Sequence, residues 1–278
     1  MGTAFSVSDS RNRCRAARRR ILDISQSVSA LHGAPAFSCM EIVDAVYYGL
    51  MKRDPVGTLI DTFIMSKGHG YLAQLATLEA LGVITSAVID EYCTPHGLLG
   101  AHPDSGVPGI TAATGSLGHG LGIALGIALA DRNSGLRDGE QPRTTFVVLS
   151  DGELQEGSTW EAILLASSLS ISNLVAIVDN NDFQSLGRTS ETHPSLYPID
   201  EKFQAFGWEA VNVDGHASEE VVRAVSSRSG VMPLAVVAKT TKGKGVSFME
   251  DVPIWHYRSP SPDEYRQAIA DLAGDRDA

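Results

Sequence analysis

Cationic side chains are scarce in this chain: 22 Lys and Arg stand against 33 Asp and Glu, a formal net charge of −11 over 278 residues. A surface built to grip phosphate backbones carries the opposite balance, so no nucleic-acid partner is expected. The excess negative charge favours solubility instead. Cysteine is scarcer still. Cys14, Cys39 and Cys93 have neither metal-site nor disulfide spacing, which fits a reducing compartment and excludes a disulfide-built fold. No apolar run suits a bilayer: the most apolar helical segment, residues 117–130, is too short and carries His119. The N-terminus lacks the apolar core of a secretion signal. A cytoplasmic location with no membrane partner is the expectation. Low-complexity linkers and internal repeats are missing too. With 43% hydrophobic residues, the chain can bury one large core. Residues 1–278 read as a single domain, with a helical N-terminal arm over about 1–32 and a C-terminal tail over about 259–278.

What is present is β–α alternation. Apolar β runs over residues 145–149, 174–178, 208–213 and 234–238 alternate with segments of helical spacing. That pattern specifies an α/β fold, a doubly wound parallel sheet flanked by helices. The most informative unit is residues 150–183. One strand stops at Asp151-Gly152-Glu153, a helix carries Trp160, Ile163, Leu164 and Leu165, and a second strand stops at Asp179-Asn180-Asn181-Asp182. Parallel strands end on one edge, where ligands of open α/β sheets sit. Asp151 and Asn181, some thirty residues apart, can therefore meet around one small cation. A carboxylate, an amide oxygen and a backbone carbonyl leave room for diphosphate oxygens and water in an octahedral Mg²⁺ shell. Taken singly, Asp-Gly and Asn-Asn are ordinary turn sequences.

These residues resemble the diphosphate-and-metal motif of thiamine-diphosphate enzymes. The words DGELQEGSTWEA and IVDNNDFQ resemble the transketolase branch, with Ser150 standing where the family usually has glycine. The resemblance implies the thiamine-diphosphate-binding fold, in its diphosphate-binding domain. It implies thiamine diphosphate and Mg²⁺, or another divalent cation such as Ca²⁺ or Mn²⁺. Asp151, Asn181 and the carbonyl of Phe183 would be metal ligands; Gly152 and Glu153 would lie along the cofactor, glycine allowing close backbone approach.

The same resemblance marks three histidines. His69, in Ser66-Lys67-Gly68-His69-Gly70, is implied to face the cofactor and the reacting carbon. His102, in the Gly/Pro-rich loop over residues 94–111, and His256, in Trp255-His256, complete the pocket, and His256 also touches the cofactor. Gly115 and Leu117 are implied to lie over it. His96 has no counterpart and reads as a loop residue. A further family histidine is expected two residues before the Gly33-Ala34-Pro35 turn, which is Leu31; His32 would then point elsewhere, and a sugar contact would be lost. Tyr257 follows His256 where the family has glycine, which would reshape substrate access. Gly118, Gly122 and Gly126 recur every four residues. Each costs a helix roughly 1 kcal/mol against alanine, so another backbone must come close, inside the chain or at a subunit interface. Glu156 and Glu161 match acidic positions that the family brings near symmetry mates; helix-dipole stabilisation explains them equally. The Arg-rich start, Arg11 to Arg20, reads as a solvated helix face.

The cofactor-activating glutamate and the pyrimidine-binding domain of the family have no match in these residues. The expected protein is thus the N-terminal subunit of a two-chain transketolase-like enzyme, a transferase moving a two-carbon ketol unit from a ketose-type donor to an aldehyde-type acceptor. It would act with a C-terminal subunit carrying the pyrimidine-binding domain, in an α2β2 assembly. An acyl- or pyruvate-transferring subunit, resembling a dehydrogenase or deoxyxylulose synthase, is an alternative. A non-catalytic cofactor-binding scaffold is another, weakened by the three retained histidines.

Overall fold

A computed structural model describes residues 5–134 and 142–274. Its strands are β1 (Thr62–Met65), β2 (Thr145–Ser150), β3 (Leu174–Asn180), the short pair β4 (Phe183–Gln184) and β5 (Gly187–Arg188), β6 (Glu209–Asp214) and β7 (Leu234–Lys239). Five of them form one sheet in the order β1-β2-β3-β7-β6, every neighbouring pair parallel; β4 and β5 form a separate antiparallel hairpin.

The central strands are Val- and Ile-rich runs buried on both faces, as parallel strands between two helical layers must be. Alternation along β2 divides them: Phe146 and Val148 join one core, Val147 and Leu149 the other. Residues of the helices Val7–Ser25, Gly33–Ser38, Tyr71–Ala80 and Ser218–Ser226 pack into the first core. Those of Gly120–Arg132, Gly157–Ser168 and Ile199–Ala205 pack into the second. The doubly wound reading is borne out. Because the strands are parallel, the segments after β1, β2, β3 and β7 all leave the sheet at one edge.

Several local expectations are corrected by tertiary partners. Ser38, which in Ser38-Cys39-Met40-Glu41 reads as an N-cap, instead ends the helix Gly33–Ser38 and donates to Asp179 Oδ1 at 2.8 Å. Ser218, which reads as the cap of a helix through Val225, is instead its first helical residue and receives a hydrogen bond from Ser10 at 2.8 Å. The arginine cluster is a solvated face only in part: Arg11, Arg15 and Arg19 are exposed, but Arg18 is 6% exposed and makes a bidentate pair with Glu41 at 2.5 and 2.8 Å. Arg13 pairs with Asp44 and Arg20 with Glu79, because two packed helices bring acids against the basic stripe. Gly118 precedes its helix in a left-handed turn (φ +87°) rather than lying on it. A Cβ at Gly122 or Gly126 would meet nothing within 4 Å, so no described backbone of this chain explains them.

Candidate active site

The abrupt turn after β2 buries the Asp151 side chain completely. Its Oδ1 accepts from the Gly152 N–H at 2.8 Å and its Oδ2 from the Asp182 N–H at 2.5 Å, which ties the end of β2 to the loop after β3. Burial first, and Asp179 second, push the Asp151 carboxyl up to about 7. Asn181 accepts from the Phe183 N–H through Oδ1 at 2.9 Å, while its amide donates to Ser38 at 2.9 Å and to Asp179 at 3.1 Å. A Cβ at Gly152 would sit 3.1 Å from Gln184 Cβ and 3.7 Å from the Phe183 carbonyl oxygen. Glycine there lets the two loops close on each other. Asp151, Asn181 and the Phe183 carbonyl are thus brought to one place.

Among the described residues no three His, Cys, Asp or Glu side chains are grouped as a metal cluster. The expected set has a different composition, one carboxylate with two neutral oxygens, which suits a hard cation that also keeps diphosphate and water ligands. A buried carboxylate held only by N–H and hydroxyl donors is short of positive charge, and a divalent cation fits that deficit.

Next to it, sequence reading missed a buried ion pair. Lys67, fully buried, pairs with Asp179 and donates to the Pro35 carbonyl at 3.1 Å. Burial opposes its charge, yet Asp179 outweighs burial and holds the ammonium above its usual range. Thr240 also donates to Asp179. Glu153 is buried too. It accepts from Ser66 and, at 3.0 Å, from the Gly118 N–H, its second oxygen has no partner, and burial lifts its carboxyl to about 6.

The histidines stand beside this polar floor. His69 lies in a tight turn after β1, flanked by Gly68 and Gly70. A Cβ on Gly68 would fall 2.6 Å from Gly115 Cα, and one on Gly115 (φ +126°) 2.9 Å from His102 Cγ. These two glycines let the His69 turn and the His102 loop touch. Thr114 fastens the second loop to the Met65 carbonyl at 2.6 Å, and Leu117 follows, half-buried. His256 comes from the turn Pro253–Tyr257, its Nδ1 3.0 Å from Lys242 Nζ. His69 and His256 have ring centroids 5.4 Å apart.

His32 is the correction. Its ring lies 6.2 Å from His69, 5.2 Å from His102 and 5.3 Å from His256, in the middle of the cluster. Leu31, 1% exposed, belongs to the apolar core. No pocket histidine has been lost; the turn entering the helix Gly33–Ser38 (His32 ψ 62°) aims residue 32, not 31, at the site. Burial and nearby Lys242 and Lys67 depress these imidazoles: His32 to about 4, His256 to about 3, His69 well below its ordinary value. They are neutral rings at pH 7, each able to donate and accept. Burial, then Lys67, lowers Lys242 to about 8. His96 is exposed on its loop, as expected, and Glu156 and Glu161 are not buried in this chain.

Sheet, strand-end donor set and histidine cluster together define the diphosphate-binding half of a thiamine-diphosphate enzyme. Residues 10–261 match the family model described as transketolase, thiamine diphosphate binding domain. The chain is 35% identical over 261 residues to one subunit of an apulose-4-phosphate transketolase of Phocaeicola vulgatus, covering 92% of this chain and 91% of that one. It is 35% identical over 247 residues to a 6-deoxy-6-sulfo-D-fructose transketolase subunit of a Clostridium species, covering 87% and 88%. Human transketolase is 35% identical over 260 residues, but these span only 40% of its length. A Campylobacter jejuni transketolase superposes with a TM-score of 0.89 at 23% identity, over 99% of this chain and 44% of that one, a likeness of fold. The chain belongs to the transketolase family, as its N-terminal thiamine-diphosphate-binding domain, and its cofactor is thiamine diphosphate with a divalent cation.

Proposed function

We propose that this chain is the cofactor-diphosphate-binding half of a split transketolase. With a C-terminal subunit supplying the pyrimidine-binding domain, it transfers a two-carbon ketol unit from a ketose-type donor to an aldehyde-type acceptor. The observation that carries this reading is the convergence of four imidazoles, His32, His69, His102 and His256, beside the Asp151 strand end. Thiamine diphosphate supplies carbanion chemistry when bound, and the protein supplies position and electrostatics. Asp151, Asn181 and the Phe183 carbonyl hold the metal; Gly115, Leu117, Gly152, Glu153, His69 and His256 border the cofactor. The imidazoles hold substrate hydroxyls and move protons at the donor and acceptor oxygens, the work for which neutral histidine is suited. Relatives of this length are named as single subunits of transketolases, which supports a partnered enzyme, and the sugars in their names support a specialised sugar or sugar derivative here. Residues 1–278 act as one domain.

Assembly has a candidate surface. Gly122 and Gly126 share an open face with Ile123, 38% exposed, next to Leu164 and Leu165, 54% and 50% exposed, and we assign this face to an inter-subunit contact. The test is reconstitution. The chain alone, given thiamine diphosphate and Mg²⁺, should show almost no ketol transfer and gain it with its partner. Steady turnover by the single chain at the rate of the pair would overturn the proposal.

A further inference from the structure

The rim of the histidine cluster is formed by an aromatic side chain that the proposed chemistry does not use. Tyr257 is 51% exposed, yet its ring packs 4.6 Å from His32, tilted by 46°. The backbone that follows it is tied down. Arg258 N–H donates to the Leu31 carbonyl at 3.2 Å and Ser259 Oγ to the Val28 carbonyl at 2.8 Å. The ring is therefore built into place over His32 instead of hanging in solvent. Beneath it, His32 Nδ1 is buried with no hydrogen-bond partner, a state that costs free energy unless something arrives to pair with it.

The cations nearby are already engaged. Arg258 pairs with Glu264 at 2.7 Å and lies over Trp255 at 4.1 Å. Lys242 is held between His256 and the Ser185 carbonyl. A neutral imidazole roofed by a phenol ring suits a hydroxylated carbon chain, its C–H face on the ring and an oxygen on His32. It does not suit a phosphate.

We propose that Tyr257 is a specificity-determining residue, an aromatic wall over His32 that selects substrates by the length of the neutral hydroxylated chain next to the reacting carbons. The inference rests on the ketol-transfer reading above. With the ring in place, short hydroxyaldehydes are favoured as acceptors, and removal of the ring admits longer ones.

The test uses the full chain assembled with its partner, hydroxypyruvate as donor, and glycolaldehyde, D-glyceraldehyde and D-erythrose as acceptors. Tyr257→Ala should raise the kcat/KM ratio of erythrose to glycolaldehyde by at least about tenfold, since erythrose is longer by two carbons and a single extra carbon against a fitted wall is worth about tenfold at the low end. Tyr257→Phe should leave that ratio within about twofold, since the ring and not the hydroxyl forms the wall. A second arm needs no turnover: in the full chain, Tyr257→Ala should move the His32 imidazole titration upward by NMR, because the uncovered ring meets water. An unchanged length ratio in Tyr257→Ala, an equal shift in Tyr257→Phe, or an unmoved His32 overturns the inference while leaving ketol transfer intact. A wild-type pair that transfers to no aldehyde overturns the proposed activity itself.

Discussion

Two charged clusters flank the sheet, and they differ in how completely their members are matched. In the first, Arg18 grips Glu41 with two bonds and the Phe37 carbonyl with a third at 2.9 Å. Glu41 also pairs with His216 at 2.9 Å, and His216 accepts from the Thr241 N–H at 2.8 Å. Burial works against the Glu41 charge, but Arg18 and His216 outweigh it and hold the carboxyl at about 2. This network borders a cleft of about 790 Å³ that none of the four clustered imidazoles lines. In the second cluster, Asp151 accepts only from N–H and hydroxyl groups, Glu153 keeps an oxygen without a partner, and His32 a nitrogen. Matched charge braces a fold, while a buried charged group left unmatched has room for a ligand. Buried side-chain polar atoms without a partner also occur elsewhere, at Tyr71 and Asn173 among the described residues; what distinguishes the second cluster is that its unmatched atoms belong to a carboxylate and to one of the clustered imidazoles.

The largest effect should come from breaking the matched cluster. Arg18→Met leaves Glu41 buried without its guanidinium, and loss of one partner of a buried pair costs about 3–5 kcal/mol. Chemical denaturation should show that loss. A variant within about 1 kcal/mol of wild type, on the scale of an exposed pair, would place this network with surface ion pairs and blunt the contrast.

The unmatched cluster should respond in the opposite way. Asp151→Asn removes a buried charge that no described cation contacts, so the cofactor-free fold should be as stable as wild type or slightly more so. Affinity for thiamine diphosphate with Mg²⁺ should fall at least about a hundredfold, roughly 2.7 kcal/mol. Calorimetric titration and thermal melting of the same samples measure both. Retained affinity would mean that this strand end is not the metal site.

What could be read before the fold was known follows the same division. Asp151 and Asn181 were legible as a strand-end pair because each closes a short apolar strand at a Gly- or Asn-rich turn, and parallel strands end on one edge; His69, His102 and His256 were marked by family resemblance alone. The Lys67–Asp179 pair was not, since its members lie 112 residues apart and only the β1-β2-β3 strand order unites them. His32 was misplaced by a single residue. Counting back from Gly33-Ala34-Pro35 cannot reveal the turn angle that buries Leu31 and turns His32 into the cluster. Arg18 was mistaken for a solvated residue because its acidic partner stands on another helix.

The imidazoles supply the third test. Unfolded histidine titrates near about 6.5, whereas His32 in the fold does so at about 4. Between those values the unfolded chain holds the extra proton, so this group's contribution is fully present above about pH 6.5 and is lost as pH falls toward 4. Asp151 and Glu153, raised to about 7 and about 6, act in the opposite sense, which masks the effect in a single stability curve. The difference between wild type and His32→Gln removes their common contribution. From about pH 7 to pH 5 the variant should lose about 1–2 kcal/mol less stability than wild type. Equal losses would show that His32 is solvated and outside the cluster's desolvated interior.

The smallest effect concerns the open glycine face, which is neither matched nor charged. Gly126 sits inside the helix Gly120–Arg132, and a Cβ there meets no described atom of this chain within 4 Å. Taken alone, the chain gains nothing from that glycine and loses helix propensity by it. Gly126→Ala should therefore stabilise the isolated chain by about 0.5–1 kcal/mol. The added methyl group should at the same time obstruct a second backbone that packs on this face, so association with the partner, measured by sedimentation, should weaken. The two measurements have to diverge, stability rising while assembly falls, for the face to be an interface. If stability rises and assembly is untouched, the glycines are an unselected feature of an exposed helix, and the inter-subunit contact must be sought on another surface.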